Sequence, residues 1–398
     1  MTAITLTPSA SCDGPPGRLM TPALARLFVA AFCATTSFYL LFSAVPAYAG
    51  HIGAGGAVAG LATGVLMVTA VIAELAAPAL EARFGRRTTF ATALVLLGAP
   101  SLVLAVVPGP AAILAACAVR GFGFGVTMVL GGAIAASLVP ASRRGEGLGL
   151  YGIVVGVPAI VAMPLAVWVG DRFGYPLVFA CGGLTALAGV AAALGLQAGA
   201  SACEPPVALR KALRDPAQFG PAAVFAAAAA AVGVAETFLP ITGGAASAGL
   251  VALGLFIQAT TTTLSRWSAG RRSDRDGIRG QLALGTIMAA CGMVLLALDH
   301  EAMGLLGGMA LLGCGFGVAQ NASLAAMYAR AKPGGYGAVS AIWNLAYDGG
   351  MGLGAAVFGL VAAQIGYAGA FGAVAMVMIC AIGPAWRQGR KGPPPSRS

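Results

Sequence analysis

Twelve stretches of about twenty apolar residues follow one another along this chain, separated by short breaks rich in arginine, glycine and proline. A helix of that length matches the hydrocarbon thickness of a bilayer, and a soluble core cannot bury so many in succession. Cutting at the breaks predicts helices over 24–46, 54–79, 89–107, 111–138, 148–169, 176–197, 220–240, 247–268, 281–298, 302–327, 336–364 and 368–386. Composition agrees: hydrophobic residues fill 59% of the 398 positions and charged residues only 9%, too few charges for a water-facing surface. The fold class expected is therefore an all-α membrane protein of about twelve transmembrane helices.

The net charge of +10 is spread over single and paired basic residues between the apolar runs. That spacing fits membrane topology and argues against a nucleic-acid partner, which would need one basic stripe. With the amino terminus inside, every lysine and arginine except Arg120 and Arg172 falls in a segment or helix end on the cytoplasmic side, as the positive-inside rule requires. The expected location is an inner, cytoplasmic membrane, with both termini cytoplasmic. The first 21 residues are polar, with Pro15 and Pro16. They lack the basic region joined to a short apolar core of a cleaved signal, so the first apolar run is expected to stay as helix one. Of the eight cysteines, Cys12 and Cys203 lie in expected cytoplasmic segments and the other six in apolar runs. With no CxxC spacing, neither a disulfide framework nor a metal site is expected, and no cofactor.

Three separated segments match under one offset of 192 residues. Arg83, Gly85 and Arg87 map onto Arg275, Gly277 and Arg279; the run Gly121 to Val126 maps onto Gly313 to Val318; Gly174, Tyr175 and Phe179 map onto Gly366, Tyr367 and Phe371. A single offset serving all three implies duplication. The expected organisation is a cytoplasmic tail over 1–21, a six-helix half over 22–197, a cytoplasmic loop over 198–219, a second six-helix half over 220–386 and a tail over 387–398. Parallel six-helix repeats are an architecture in which two halves rock about a central cavity.

The segment Gly270-Arg271-Arg272-Ser273-Asp274-Arg275-Asp276-Gly277-Ile278-Arg279 resembles the loop signature G-x-x-x-D-R-x-G-x-R of the major facilitator superfamily. The resemblance implies a secondary transporter, usually monomeric, with Gly270, Asp274, Arg275, Gly277 and Arg279 as a conformational latch on the cytoplasmic side. In the first-half copy Pro78 replaces the leading glycine and Ala82 the acid, with Glu81 one place earlier. A reshaped latch there would use Glu81, Arg83, Gly85 and Arg87. Arg120, midway along the fourth helix, resembles the single arginine the family often carries there. It suits either a substrate anion or a proton site, or else a structural pair. Gly149, Gly152 and Gly156 share one face of helix five and look like the glycine-rich motif of the family's antiporters. Val157 separates the last glycine from Pro158, and close helix packing is the plainer expectation.

A proton-driven carrier needs an acid that can be neutral in one state and charged in another. Asp348 lies well inside helix eleven with Asn344 four residues before it on the same face, and is the first candidate, with a structural hydrogen bond to a neighbouring helix as its alternative. Glu236 near the outer end of helix seven is the second, either lining the cavity mouth or reaching the interface. Glu74 maps onto Arg266 under the repeat and is expected to form a latch pairing. Asn344, Tyr347, Gln258, Gln320, Asn321, Tyr39 and Thr36 are candidates for hydrogen bonds to substrate, or equally to neighbouring helices.

Three functions compete: a proton-coupled exporter of small organic molecules; an uptake symporter for a small solute, anionic if Arg120 contacts it; and a membrane receptor or enzyme. The third lacks residues, because no HExxH, acidic metal cluster or phosphate-binding loop occurs and the two histidines, His51 and His300, fall in short outer loops. The expected partners are a small-molecule substrate, protons and the lipid bilayer.

Overall fold

A computed structural model describes residues 20–139, 143–196, 216–242, 248–276, 280–298, 301–330 and 336–390. Lipid offers no partner to backbone amides and carbonyls, so each apolar run satisfies its own as a helix. The helices are α1 (Pro22–His51), α2 (Gly55–Phe84), α3 (Arg86–Leu104), α4 (Pro110–Leu138), α5 (Arg144–Phe173), α6 (Tyr175–Leu194), α7 (Pro216–Thr242), α8 (Ala248–Asp276), α9 (Gln281–Leu298) and α10 (Ala302–Tyr328). A final run, Tyr336–Arg390, is broken at Gly366 and forms α11 (336–365) and α12 (367–390). Among the described residues, each run includes a segment long and apolar enough to cross a membrane.

Several helices outlast their predicted ends. Those predictions, such as 24–46 for α1 and 54–79 for α2, marked where apolarity stops. Backbone hydrogen bonding does not stop there, and it carries α1 to His51 and α2 to Phe84. At the start of α1, Thr21 Oγ1 accepts from Leu24 N at 3.2 Å beside Pro22, a polar cap joined to a proline preset for the first turn. Near the start of α5, Glu146 pairs with Arg143 at 2.9 Å. The hydrogen bonds from Arg143 hold the Glu146 carboxyl below its ordinary pKa, keeping a negative charge in the first turn, where the helix dipole favours it.

The duplication repeats contact for contact. A side-chain carbon on Gly121 would meet Leu66 O and Thr69 Oγ1 on α2, and one on Gly313 would meet Gln258 O and Thr261 Oγ1 on α8. Gly123 abuts Ala93 O and Leu97 N as Gly315 abuts Gly285 O and Ala289 N. Every pair obeys the 192-residue offset. Gly174 and Gly366 end α5 and α11 with φ of 93° and 74°, a left-handed turn that favours glycine. The protein is thus an all-α membrane protein of two parallel six-helix repeats.

Within the halves, α2 packs on α4 and α8 on α10, while α3 packs on α4 and α9 on α10. Between the halves, α2 meets α11 and α5 meets α8. The α2–α11 seam is tight towards the end carrying the α1–α2 turn. There, a carbon on Gly64 would lie 2.9 Å from Ala356 Cβ, and one on Gly352 would lie 2.6 Å from Met67 Cβ. Gly56, Gly60 and Gly64, four residues apart, let the two backbones approach. Large apolar side chains such as Ile72, Leu75, Leu184 and Leu353 stay exposed, forming the surface that lipid covers.

Candidate functional site

Below that tight seam the halves are joined by acids. The carboxyl groups of Glu74 on α2 and Asp348 on α11 face each other at close range. Two carboxyl groups have only oxygens to offer each other, so a hydrogen bond between them would need a shared proton. Glu74 lies ten residues from the Phe84 end of α2 and Asp348 twelve from the Tyr336 end of α11. At 1.5 Å per residue both sit roughly 15–18 Å from that end of the molecule. Asp348 is only 6% exposed.

The repeat explains why the pair forms on one seam only. On the symmetry-related α5–α8 seam, the positions matching Glu74 and Asp348 hold Arg266 and Gly156. Duplication followed by substitution has left acids at both positions of one seam and an arginine and a glycine at those of the other. Tyr39 on α1 and Tyr347 on α11 lie within electrostatic reach of Glu236, Asp348 and Arg266 alike. The acids, the arginine and the two phenols thus share one polar region.

Glu236 on α7 is 8% exposed and faces Gln258 on α8 at close range. The Gln258 amide nitrogen approaches Thr262 Oγ1 at 3.4 Å, while its carbonyl oxygen has no partner among the described residues. The adjacent Thr237 bonds Thr63 of the other half at 3.1 Å. An aromatic wall borders Tyr347: Phe225 stacks on Trp343 at 4.6 Å, and Phe316 on Tyr347 at 5.7 Å. The Trp343 Nε1 donates to Ser323 Oγ at 3.0 Å, which fixes the orientation of the ring.

The remaining candidates divide. Asn344 is half-buried one helical turn before Asp348. Gln320 is buried with an unpartnered carbonyl oxygen, and Thr36 has an unpartnered buried hydroxyl, among the described residues. Asn321 instead points its amide at Gly270, where an added carbon would lie 3.0 Å away, so it belongs to the α8–α10 contact. Arg120, 1% exposed, donates to Leu97 O at 2.8 Å, to Ser101 Oγ and to Ser37 O at 3.2 Å. It holds α1, α3 and α4 together through neutral acceptors and is not among the charges that face Tyr39 and Tyr347.

At the Phe84 end, Glu81 accepts from Arg86 Nε at 2.9 Å, and Arg86 also donates to Ser137 of α4 at 3.1 Å. Arg83 lies over the Phe84 ring at 5.3 Å, Arg87 is exposed, and Gly85 takes a φ of 78°. Glu81 therefore works with Arg86, which sequence reasoning passed over; their spacing across the helix break was the available signal. In the second-half motif Asp274 and Arg275 lie in the last turn of α8, while Gly277 and Arg279 fall outside the described residues. Gly149, Gly152 and Gly156 meet nothing within 4 Å. Close packing is not what these glycines do in this conformation, because the α5 face they form is open.

Comparison with known proteins gives the chain its relatives. The model of the Major Facilitator Superfamily matches residues 27–355. An uncharacterised MFS-type transporter of Pseudomonas aeruginosa is 37% identical over 111 residues, 27% of this chain and 28% of that protein. A second, from Burkholderia mallei, is 39% identical over 90 residues, 23% of this chain and 22% of that protein. The matches thus span about a quarter of these curated relatives' length. Among solved structures, the nucleoside transporter NupG superposes with a TM-score of 0.75 at 13% identity, covering 93% of this chain and 99% of that one. A bacterial homologue of the human lysosomal transporter Spinster, in an inward-facing and occupied conformation, gives 0.76 at 12% identity, covering 95% and 100%. At such identities these likenesses speak to the fold alone.

Proposed function

The chain belongs to the Major Facilitator Superfamily, and on that premise we propose that it exports a small organic solute in exchange for protons, with Glu74 and Asp348 as the coupling site. The observation that carries this reading is the close approach of two carboxyl groups, one from each half, inside the membrane-spanning region. A proton shared there ties α2 to α11; removing it leaves two negative charges at close range, which repel and favour separation of the seam. Proton occupancy is then linked to the relative position of the halves, as alternating access requires. With the amino terminus inside, the tight Gly64–Gly352 seam lies on the outer side, and this conformation is the one closed to the outside. Export by antiport follows if solute and proton compete for the same carboxyl oxygens, since each then leaves where the other enters.

Everted membrane vesicles carrying a respiration-driven pH gradient test the reading, with a fluorescent dye following the gradient as candidate solutes are added. Solute-dependent collapse of the gradient, absent in Asp348→Asn and in Glu74→Gln, is the expected result. A solute carried with no effect on the gradient, or variants that behave as the parent does, would contradict it.

A further inference from the structure

From the same polar region we infer the class of cargo: an organic cation carrying N–H donors, that is, a protonated amine with an apolar or aromatic body. The inference rests on the proposed coupling site but adds observations of its own. The region carries more acidic than basic groups. Glu236, Asp348 and Glu74 contribute three carboxyl groups, against one cation, Arg266, facing the same two tyrosines.

The second observation is independent of the acids. Gln258, 2% exposed, turns its amide nitrogen to Thr262 and leaves its carbonyl oxygen buried without a partner among the described residues. On α10, Gln320, 5% exposed, likewise has an unpartnered carbonyl oxygen. Buried acceptors left unpaired are costly, so what completes them must be a donor. An ammonium group supplies up to three donors and a positive charge. A carboxylate or phosphate supplies neither, and its charge would meet Glu236 and Asp348.

The aromatic wall fits the rest of such a ligand. Phe225, Phe316, Trp343 and Tyr347 stack against one another, with Tyr347 within electrostatic reach of Asp348, and aromatic rings attract cations as well as apolar rings. Arg120 does not oppose the assignment: its two terminal nitrogens are held by Ser101 and two backbone carbonyls, its Nε has no partner among the described residues, and it is not among the charges facing the two tyrosines.

Four probes sharing one ring separate the contributions: benzylammonium, benzyltrimethylammonium, benzyl alcohol and benzoate. Each is titrated into the purified full-length protein in lipid nanodiscs, without a gradient, following tryptophan fluorescence, with Trp343→Phe to assign the signal. Benzylammonium is expected to bind saturably and at least about tenfold more tightly than the alcohol or benzoate. Glu236→Gln and Asp348→Asn should each weaken it by about tenfold, and Gln258→Leu should weaken benzylammonium while sparing benzyltrimethylammonium, which has no N–H to donate. Size-exclusion profiles matching the parent's establish that each variant is folded, and Glu236→Gln stands in if Asp348→Asn fails that check. Benzoate or benzyl alcohol binding as tightly as benzylammonium, or no saturable binding of either ammonium probe, would overturn the inference. The titration reads binding apart from coupling: ammonium binding here with no gradient collapse in the vesicle assay would sink the coupling site alone, and gradient collapse driven by an anionic cargo with no ammonium binding here would sink this inference alone.

Discussion

The α2–α11 seam offers a perturbation whose size can be read from atomic positions. In Gly64→Ala the new carbon would sit 2.9 Å from Ala356 Cβ, with Gly352 O at 3.3 Å. Carbon atoms prefer about 3.5–4.0 Å, so the deficit is about 0.6–1.1 Å. Neither the Ala356 carbon nor the helix backbones can rotate away, and overpacking of this kind costs about 1–3 kcal/mol. That cost falls only on the conformation in which this end of the seam is closed. At 1.4 kcal/mol per tenfold, the equilibrium should move about 5- to 150-fold towards the conformation with that end open. Double electron–electron resonance between spin labels at His51 and Gln364, both exposed near that end of their helices, would read the shift in a variant free of native cysteines. Gly64→Ala is expected to add or enlarge a long-distance component. Gly152→Ala, where an added carbon meets nothing within 4 Å, should not enlarge it. An unchanged distance distribution in a less stable Gly64→Ala protein would refute the reasoning, because the seam would then be equally tight in every state.

Two further outcomes follow from packing within the halves. Gly123→Ala and Gly315→Ala place a carbon against backbone atoms at equivalent positions of α3 and α9, and each should lower stability by about 1–3 kcal/mol in thermal denaturation of the purified protein; a large loss for one and none for the other would contradict their equivalence. Ser101→Ala removes a buried acceptor from Arg120 and should cost about 1.5–3 kcal/mol by the same measurement, with solute affinity unchanged. A Ser101→Ala effect confined to solute affinity would instead move Arg120 into the binding site.

The sequence made the helices legible because a bilayer imposes one rule on every span, and that rule is written in apolar length. The duplication was legible for a related reason: Gly121, Gly123 and Gly125 each sit against backbone, so no side chain fits in either copy. The acids were legible as rarities within apolar runs, but their partners were not. Pairing Glu74 with Asp348 depends on how two separately folded halves meet, and the offset pointed instead to Arg266, which occupies the equivalent place on the opposite seam. The reshaped loop contact followed the same pattern, since Glu81 was visible while its partner Arg86 was fixed by the turn at Gly85 and by Ser137 on another helix. The glycine face of α5 was misjudged for close packing because spacing alone does not say which seam is closed in a given conformation.

The central claim is that a proton resides between Glu74 and Asp348, and infrared spectroscopy tests it most directly. The carbonyl stretch of a protonated carboxyl group is distinct from the bands of a carboxylate and shifts when deuterium replaces the proton. The purified protein in nanodiscs at neutral pH is expected to show that band, sensitive to exchange into heavy water and reduced in both Glu74→Gln and Asp348→Asn. A band of undiminished intensity in both variants, or none in the parent, would contradict the account.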